Sequence, residues 1–576
     1  MTRLPVKFLP LAAVLAGILP FQAQAQSIDY GNVSQGSDTS GASSSDNSGD
    51  GSSSRSRRGR KASARYKDIE PYIEVAQIVK GEISPRDEVL TYSRVAVGID
   101  GIVTNRNSGG AVSLRYERDF SWQKETGDED YVSGIANGYV EVAPGVRLQA
   151  GGLAARYTVD DAGRVFDGEV AIQDTVSQVY SVYAGPSITT YAGDVEIKAN
   201  YRAGYTKVET SDAFRLDADD QPFDKFDDSV VHAADVSAGL KPGTVLPVGV
   251  GVAGSIYRED ISDLDQRVED MQARATTMVP VTHSAAITGG VGYEKVQISS
   301  RDALRDADGE PVRRVDGDYV TDKSTPRKLA YDVDGLIWDV GVMWRPSTRT
   351  ALTASVGRRY GSTSFNGSLT YAPNPRSAMA VVVYDNVAGF GGQVNRVLAD
   401  LPTDFTAIRN PISGNIGGCV SSLEAGNCLA GSLGSLRSAT FRARGVAASY
   451  TRKMGRLKAG IGGGYDRRKF IAAEGTVLAD VNGLIDEKYW LSGYVDAELN
   501  QYSGISTYLY ANWIESGGSF GGDENELGAS AAYYRRLTDH FTAKAAIAVD
   551  GYGYSGDELL DDIWITSALV GVKYTF

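Results

Sequence analysis

Apolar and polar side chains alternate along most of the chain after Tyr66, most clearly in residues 195–206, 457–466 and 541–550. Because successive side chains of a β-strand point to opposite faces, this period of two predicts strands with one apolar face and one polar or small face. A soluble β-sandwich would also show the alternation. The segments are about 10 to 16 residues long, however, and soluble strands mostly have about 5 to 6. A tilted strand needs about 9 to 11 residues to cross a bilayer. Length therefore favours transmembrane strands.

The connections between these segments alternate between short and long. Short ones with turn residues lie at 144–145, 193–194, 346–348, 373–375, 453–455 and 538–540, and longer charged ones lie near 121–130, 159–174, 209–228, 299–328, 386–436 and 471–484. Short turns at one rim and long loops at the other are typical of bacterial outer-membrane barrels. We therefore predict an all-β fold, a transmembrane antiparallel up-and-down β-barrel of about 22 strands. The range is about 18 to 24, because each strand gives a weak signal.

The last segment resembles the C-terminal signal that the outer-membrane barrel assembly machinery reads. Gly571, Tyr574 and Phe576 stand where that signal has a glycine, an aromatic residue two from the end and a terminal phenylalanine. Leu569 departs from the polar residue usually found two positions before the glycine. The resemblance implies insertion into the outer membrane of a Gram-negative cell envelope, with that machinery as a partner.

The N-terminus has the three parts of a secretory signal peptide. Arg3 and Lys7 are basic, residues 8–21 are mainly apolar, and residues 23–25 fit the cleavage pattern, so we expect residues 1–25 to be removed. Residues 26–66 are rich in Ser and Gly and then basic. They are predicted to form a disordered periplasmic linker, because they offer too little apolar surface to offset the entropy lost on ordering. Residues 67–576 form the predicted barrel.

Charge and composition exclude some classes of partner. The formal net charge is −14, and a strongly acidic chain is a poor nucleic-acid binder because phosphate binding relies on clustered Lys and Arg. We expect contact with outer-membrane lipid and lipopolysaccharide, with a polysaccharide as a candidate partner. After Ala25 no run of 18 apolar residues occurs, so no membrane-spanning helix is predicted.

The polar faces of the predicted strands would line the lumen. If the apolar faces contact lipid, the inward charged positions are Glu196, Lys198, Arg202, Lys458, Asp466, Asp496, Glu498, Lys544, Asp550 and Lys573. Barrel interiors of this polarity hold water, and barrels with this many strands are wide unless plugged. Because the signs are mixed, no single-sign ring is evident that would select cations or anions.

The longest predicted connection contains both cysteines, Cys419 and Cys428. The cell envelope is oxidising, which favours a disulfide that braces this loop, and two free thiols are the alternative. The segment from about Gly389 to Leu436 is long enough to fold inward and narrow the lumen.

Candidate catalytic and metal sites are few. The only histidines are His232, His283 and His540, and a catalytic histidine needs a nucleophile or carboxylate beside it. His232 with Asp235 or Ser237 is conceivable, but an isolated surface histidine is the simpler interpretation. We predict neither an enzyme nor a cofactor. Two acidic segments, 217–228 and 306–318, lack the spacing of a twelve-residue Ca²⁺ loop and are interpreted as solvated loops.

Two stretches resemble known barrel families. Residues 356–361, 365–371 and 373–377, which include Arg358-Arg359-Tyr360 and Pro373-Asn374-Pro375, resemble porin-like barrels associated with exopolysaccharide and PEP-CTERM protein-sorting loci, a likeness that extends loosely from Ala330 to Phe576. Residues 178–186 resemble a barrel group often mislabelled as a preprotein translocase subunit. The resemblance implies architecture more than substrate.

Three functions remain open at this stage. A porin-like channel, for passive passage of polar solutes or export of a polysaccharide, is the leading hypothesis. A structural or surface-binding barrel with a closed lumen is the alternative. A receptor driven from the inner membrane is least favoured, because residues 26–66 are too few for the plug domain of such receptors.

Overall fold

The structure is a computed structural model. It describes residues 66–84, 87–122, 128–159, 165–166, 176–210, 228–314, 318–403, 405–421, 427–428, 439–517, 523–555 and 562–576. The predicted signal peptide and all but the last residue of the predicted linker lie outside these residues and stay predictions. The first strand begins at Tyr66, one residue before the predicted barrel.

Long strands make up nearly all of the described chain, joined by few helical turns. The strands are β1 Tyr66–Ser84, β2 Glu88–Thr104, β3 Ser108–Ser121, β4 Glu129–Ala143, β5 Val146–Val159, β6 Val165–Phe166, β7 Val176–Ala192, β8 Val195–Thr210, β9 Ser229–Leu240, β10 Gly249–Ile261, β11 Gln266–Thr282, β12 Ala285–Ser300, β13 Lys328–Ser347, β14 Thr350–Arg359, β15 Ser362–Asn374, β16 Ser377–Ala388, β17 Thr406–Arg409, β18 Ile416–Ser421, β19 Asn427–Cys428, β20 Thr440–Met454, β21 Leu457–Ile471, β22 Ile485–Asn500, β23 Ser503–Ser516, β24 Asp523–Arg536, β25 Phe541–Ser555 and β26 Ile563–Thr575. One α-helix, α1, spans Phe390–Ala399, and 3-10 turns span Asp263–Asp265 and Ala479–Val481.

Among the described residues, 22 of these strands form one closed antiparallel ring. Each strand pairs with the next in sequence, and β1 closes the ring by pairing with β26 from Tyr72 opposite Thr575 to Ser84 opposite Trp564. The two-residue β6 attaches to β5, and β17, β18 and β19 form a separate small sheet inside the connection from β16 to β20. The predicted fold class and strand number are confirmed.

The two rims of the barrel differ, as predicted. At the rim with both ends of the described chain, which we call the turn rim, the ten connections between described strands contain two to eight residues. The opposite loop rim has the six predicted long connections. It also has short ones, 262–265 and 360–361, so its loops are not uniformly long. Turns predicted at 346–348, 373–375 and 453–455 lie one to two residues further along, at 348–349, 375–376 and 455–456.

The outer surface has an apolar band between two aromatic belts. Exposed aromatic residues near the turn rim include Tyr191, Trp344, Tyr371, Tyr450, Phe541 and Phe576, and those near the loop rim include Tyr116, Phe120, Tyr205, Tyr489, Trp513 and Trp564. Exposed aliphatic residues between the belts include Val182, Val291, Val340, Leu509 and Ile547. Aromatic girdles around an apolar band mark the two membrane interfaces of an outer-membrane barrel. Within the described ranges, no helix is long and apolar enough to cross a membrane.

Candidate functional site

The connection from β16 to β20, residues 389–439, folds into the barrel in the parts that the structure describes, namely 389–403, 405–421, 427–428 and 439. We call it the lumenal loop. It contains α1 and the small sheet, and its described side chains pack against inward residues of strands on several sides of the ring. The sequence predicted that this segment could fold inward. The contacts described below show how it is held.

A buried carboxylate on the barrel wall holds the start of α1. Glu259 on β10 is completely buried, and its two oxygens accept hydrogen bonds from the backbone N–H of Gly389 at 2.6 Å and of Gly392 at 2.8 Å. The hydroxyls of Ser229 and Tyr257 donate to the same carboxylate at 2.7 and 2.6 Å. Because the first N–H groups of a helix lack intrahelical acceptors and carry partial positive charge, a carboxylate there is favourable. Glu259 therefore caps α1 from a different part of the chain.

Glycines allow this close approach of helix and wall. A Cβ atom added at Gly392 would overlap the Tyr257 hydroxyl, and one added at Gly391 would overlap the Ser229 side chain. Glycine costs helix stability through its backbone entropy. Its presence in the first turn of α1 is therefore explained by packing and not by helix propensity.

The next turns of α1 contact the walls of β7 and β8 through hydrogen bonds. The Asn395 amide donates to the hydroxyls of Ser181 at 3.1 Å and Thr206 at 2.7 Å. Just beyond the helix, the Asn137 amide on β4 donates to the Leu401 carbonyl at 2.5 Å. These polar groups are buried, and their mutual hydrogen bonds offset the cost of removing them from water.

An apolar patch on the inner wall completes the docking of α1. Inward residues of β3, β4, β5, β7 and β8 form a buried cluster with one face of the helix and the segment after it: Ala111, Ile135, Leu153, Ala155, Val179, Tyr183 and Val208 from the wall, and Phe390, Val394, Leu398, Leu401, Phe405 and Ile416 from the loop. The assumption that the inward face is polar and the lipid face apolar misses this patch, because both faces of these strands are locally apolar.

Further along, a turn of the lumenal loop is held by neutral acceptors on β3 and β4 and within the loop itself. The Arg409 guanidinium donates to the Ser113 hydroxyl at 3.0 Å, the Ser133 hydroxyl at 2.8 Å and the Gly414 carbonyl at 2.7 Å. Burial lowers the pKa of this guanidinium from its ordinary value. The turn itself is closed by the Asn410 side chain, which accepts from the N–H of Ile412 at 2.8 Å.

The wall behind this turn carries a network of buried charges. Arg94 makes two 2.7 Å hydrogen bonds to Asp119, and it also donates to the Ile412 carbonyl at 2.6 Å. Arg115 bridges Glu117 at 2.8 Å and Glu74 at 3.1 Å. All of these side chains are nearly inaccessible in this state. The loop therefore covers a wall that is itself strongly polar.

Apolar contacts anchor the same segment to a further part of the ring. Ile412 lies in a buried cluster with inward residues of β1, β2, β24, β25 and β26, namely Ala76, Ile78, Tyr92, Ala532, Ala546, Ala548 and Leu569. Ile408 packs against Trp490 and against Tyr494, Tyr508 and Tyr510 on β22 and β23. Around the ring from β10 through β1 and β26 to β22, the lumenal loop thus contacts most strands of the barrel.

The remaining sector is closed by the barrel wall. The short β14–β15 hairpin ends at Tyr360, whose N–H donates to Glu294 at 2.6 Å and whose hydroxyl donates to Asp270 at 3.0 Å. Tyr360 also joins an apolar cluster of residues from β11, β12, β16 and β21: Val268, Val296, Ile298, Val387 and Ile471. Contacts of the lumenal loop and contacts within the wall thus cover the inner face on both sides of the ring toward the loop rim.

Seven of the predicted lumen residues lie on the inner face toward the turn rim. Glu196 and Lys198 form an ion pair at 3.6 Å and line a pocket with Lys241 and Thr276. Lys458 is directly opposite Asp496, and Glu498 lies one step nearer the rim. Lys544 is 3.5 Å from Glu74, and Lys573 is 3.8 Å from Asp100. The structure spreads these residues around the ring and does not gather them into one charged constriction.

The other three lie deeper in the lumen. Asp466 accepts from the Tyr384 hydroxyl at 2.7 Å and from Arg468 at 2.6 Å. Asp550 accepts from the Tyr510 hydroxyl. Arg202 lies over the ring of Tyr183 at 6.0 Å, close to the docked helix. The residues that hold the loop, Glu259 above all, were not singled out from the sequence. Their partners are more than 100 residues away, and no local pattern marks such a contact.

The predicted assembly residues lie together at the seam of the barrel. Gly571 is directly opposite Ala76 of β1, where an added Cβ would crowd the β1 backbone. The ring of Tyr574 packs against those of Phe541 and Phe576, each with centroids 5.0 Å apart. The Phe576 N–H donates to the Pro71 carbonyl at 3.1 Å.

The other sequence candidates are placed as follows. The backbones of Cys419 and Cys428 are directly opposite in β18 and β19, but the cysteine side chains lie outside the described part of the structure, so the disulfide stays a prediction. His232 points outward and its ring hydrogen-bonds the Tyr201 hydroxyl at 2.8 Å, whereas Asp235 contacts Asn200 on the inner face. His283 and His540 lie in turn-rim connections. The acidic segment 217–228 is described only at its last residue, and 306–318 belongs to the β12–β13 loop.

No family model matches the chain, and no curated protein is similar to it in sequence. Solved structures with a similar barrel include the FrpB iron transporter from Neisseria meningitidis (F5-1 variant), with 11% identity, a TM-score of 0.41, and coverage of 88% of this chain and 83% of that chain. The ferric-catecholate import receptor Fiu from E. coli K12 in its open form has 10% identity, a TM-score of 0.42 and coverage of 88% and 81%. The copper transporter OprC has 11% identity, a TM-score of 0.38 and coverage of 89% and 81%.

The features of the chain itself define its class. A closed ring of 22 strands satisfies backbone N–H and C=O groups between strands, which a bilayer requires, and its apolar band and aromatic belts match the outer membrane. The protein is therefore an outer-membrane β-barrel of a Gram-negative envelope. Such barrels have short turns at the periplasmic rim and longer loops at the outer rim, so the turn rim is assigned to the periplasm. The lumen of this protein is occupied by its own loop.

Proposed function

We propose that the protein is a gated, porin-like channel for the passive passage of polar solutes, with the lumenal loop as its gate. In this proposal the closed structure is one state, and displacement of the loop opens a path along the inner wall. The protein has no catalytic role in this proposal. The resemblance to porin-like barrels associated with exopolysaccharide loci adds a polysaccharide in export as a candidate cargo.

The buried charges behind the loop carry this proposal. Arg94, Arg115, Glu74, Glu117 and Asp119 are nearly inaccessible in the closed state. Burying ion pairs costs much of what their attraction contributes, so apolar residues of similar size would often stabilise a permanently filled barrel at least as well. A charged wall is instead what an aqueous path needs when the loop has left.

The second candidate is a structural or surface-binding barrel whose lumen stays shut. The extent of the loop's contacts favours it, because hydrogen bonds and apolar clusters tie the loop to most of the ring. In that case the loop would be a permanent part of the core.

Conductance in planar bilayers distinguishes the two functions. The purified full chain should show low or infrequent conductance, and a variant lacking residues 392–434 should show large, sustained conductance without an energy source. Removing residues 304–320 from the β12–β13 loop is the matched control, because it shortens another loop at the same rim and leaves the lumenal loop in place. Folding of each variant is checked by the shift in electrophoretic mobility on heating.

The outcomes are separable. Conductance that rises only when residues 392–434 are removed supports the gated channel, and weak discrimination between cations and anions is expected because the charges along the wall are mixed. Silent bilayers from well-folded protein both before and after the deletion would refute the channel and support the structural barrel.

A further inference from the structure

The outer face of the β20–β21 hairpin, near the loop rim, carries an unusual arrangement of cations. Arg442 is directly opposite Lys469, and Arg444 is directly opposite Arg467. These side chains lie on the face opposite to that of Phe441, Ala443 and Phe470, which form a cluster on the inner face. Arg444, Arg467 and Lys469 are accessible there. Arg442 is only 13% exposed, because it lies over the ring of Tyr360 and donates to the Ser362 hydroxyl at 2.7 Å. Like charges directly opposite each other on a sheet are destabilising. Two such pairs in succession call for a physical explanation.

Carboxylates neutralise only part of this charge. Asp385 on β16 binds Arg442 through two hydrogen bonds of 2.7 and 2.8 Å and lies 3.2 Å from Arg444. Glu487 on β22 pairs with Arg467 at 3.1 Å. Glu515 on β23 is exposed and directly opposite Glu487. Four cations therefore face three carboxylates, and one of these, Asp385, is bound mainly by the covered Arg442.

A fifth cation adjoins this group. Arg358 is exposed at the end of β14 and is directly opposite Thr363, whose carbonyl accepts a hydrogen bond from Arg444 at 3.0 Å. We call the accessible cations Arg358, Arg444, Arg467 and Lys469 the basic patch.

Another hairpin at the same rim shows the balanced arrangement. On the outer face of β10 and β11, Arg258 is directly opposite Glu269, and Asp260 is directly opposite Arg267. Each cation there has a carboxylate within 4.0 Å on its own strand and across the strand pair. The chain can thus build a self-neutralised rim. The excess of positive charge on β20 and β21 is not a general property of this surface.

The height of the basic patch identifies its ligand. Tyr489 on β22 belongs to the outward aromatic belt near the loop rim. Tyr465 on β21 is directly opposite Tyr489, with ring centroids 4.9 Å apart, and so lies at the same height. Arg467 and Lys469 follow Tyr465 by two and four residues, on the same face and toward the loop rim. Aromatic belts lie at the headgroup level of a membrane. The patch therefore lies just above the acyl chains of the outer leaflet, among lipid headgroups.

We propose that the basic patch binds the phosphate groups of an outer-leaflet lipid, of which diphosphoryl lipid A is the test compound. Guanidinium groups hold phosphate with two parallel hydrogen bonds, and a multiply charged headgroup relieves the repulsion between the facing cations. The site is on the outer surface and is independent of whether the lumen conducts.

The test measures binding of diphosphoryl lipid A to the full chain in a nonionic detergent. The variant Arg467→Gln with Lys469→Gln should bind roughly 30-fold more weakly, because each basic residue near an anionic headgroup contributes about one kcal/mol. The matched control, Arg258→Gln with Arg267→Gln, removes two outward cations from the balanced hairpin and should leave the affinity unchanged. Monophosphoryl lipid A should bind the unaltered chain more weakly than the diphosphoryl form.

Thermal unfolding separates lipid binding from simple bracing. Without lipid, Arg467→Gln with Lys469→Gln should unfold at the same or a higher temperature than the unaltered chain, because repulsion is removed. Addition of lipid A should raise the unfolding temperature of the unaltered chain by more than that of the variant. A variant that is less stable under both conditions and binds lipid A normally would show a bracing role and overturn the proposal. An equal loss of lipid A binding in the control variant, Arg258→Gln with Arg267→Gln, would also overturn the proposal. Displacement of lipid A by an equal concentration of inorganic pyrophosphate would overturn it as well, because it would show binding of free anions.

Discussion

The carboxylate of Glu259 and the backbone N–H of Gly392 are 2.8 Å apart, although they are 133 residues apart in sequence. This contact, with its partner at Gly389, joins a strand of the barrel wall to the first turn of the only α-helix among the described residues. The helix is the first element of the lumenal loop. The strength of this contact therefore bears directly on whether the loop can leave the lumen.

Replacing Glu259 by Ala should release the start of α1. Two backbone N–H groups and the hydroxyls of Ser229 and Tyr257 would lose their acceptor, and hydrogen bonds to a charged group contribute roughly 1.5 to 3 kcal/mol each. We expect longer and more frequent open events in single-channel recordings. Glu269→Ala, an outward carboxylate on the neighbouring strand, is the control. Recordings from Glu259→Ala that match those of the unaltered protein would show that this contact does not hold the gate.

Gly392→Val tests the same junction by steric means. A Cβ at this position overlaps the Tyr257 hydroxyl, so the side chain cannot be accommodated while the helix stays docked. We expect raised conductance from a barrel that still assembles and stays heat-modifiable, because the strands are untouched. Gly335→Val, where an added Cβ meets open space, should behave as the unaltered protein. A Gly392→Val variant with the conductance of the unaltered protein would contradict this expectation. It would show that the wall around Tyr257 rearranges to accommodate the valine side chain.

The membrane-facing surface should show a dependence on depth. Ile547 lies midway along β25 and is 65% exposed, so Ile547→Arg should lower the free energy of unfolding by roughly 2 to 4 kcal/mol. Ile197 also faces outward, but it is the third residue of β8, near the rim, and Ile197→Arg should cost only about 0 to 1 kcal/mol. Lys198→Ser, on the inner face, is the control. Urea unfolding in lipid vesicles measures all three, and equal losses would contradict the assigned faces.

Deletion of Phe576 should lower the yield of assembled barrel. The side chain of Phe576 packs on Tyr574, and its backbone N–H donates to the Pro71 carbonyl at the seam of the barrel. Phe576 is thus both the last residue of the segment that resembles an assembly signal and the last contact that closes the barrel. The amount of heat-modifiable protein in the outer membrane is the measurement. Phe541→Leu, which keeps an apolar neighbour for Tyr574, is the control. An undiminished yield after the deletion would remove the assembly role.

The sequence by itself determined the wall of this protein. The period of two along β8, β21 and β25 assigns Ile197, Ile461 and Ile547 to the outer face, and the turn residues assign the rims, because side-chain direction in a strand depends only on position. The number of strands follows from counting such segments. Pairing in an up-and-down barrel is between neighbours in sequence, so the topology needs no distant information.

Only the tertiary structure decided which segment occupies the lumen inside this wall. Glu259 is an ordinary inward carboxylate in the pattern of β10, and nothing local shows that its partners lie near residue 390. Val179 and Val208 break the expected polar inner face because α1 packs on them. Alternation reports the face on which a side chain lies and not the segment that will cover it. Contacts between distant segments depend on the closed shape of the ring, and that shape decides that this lumen is occupied.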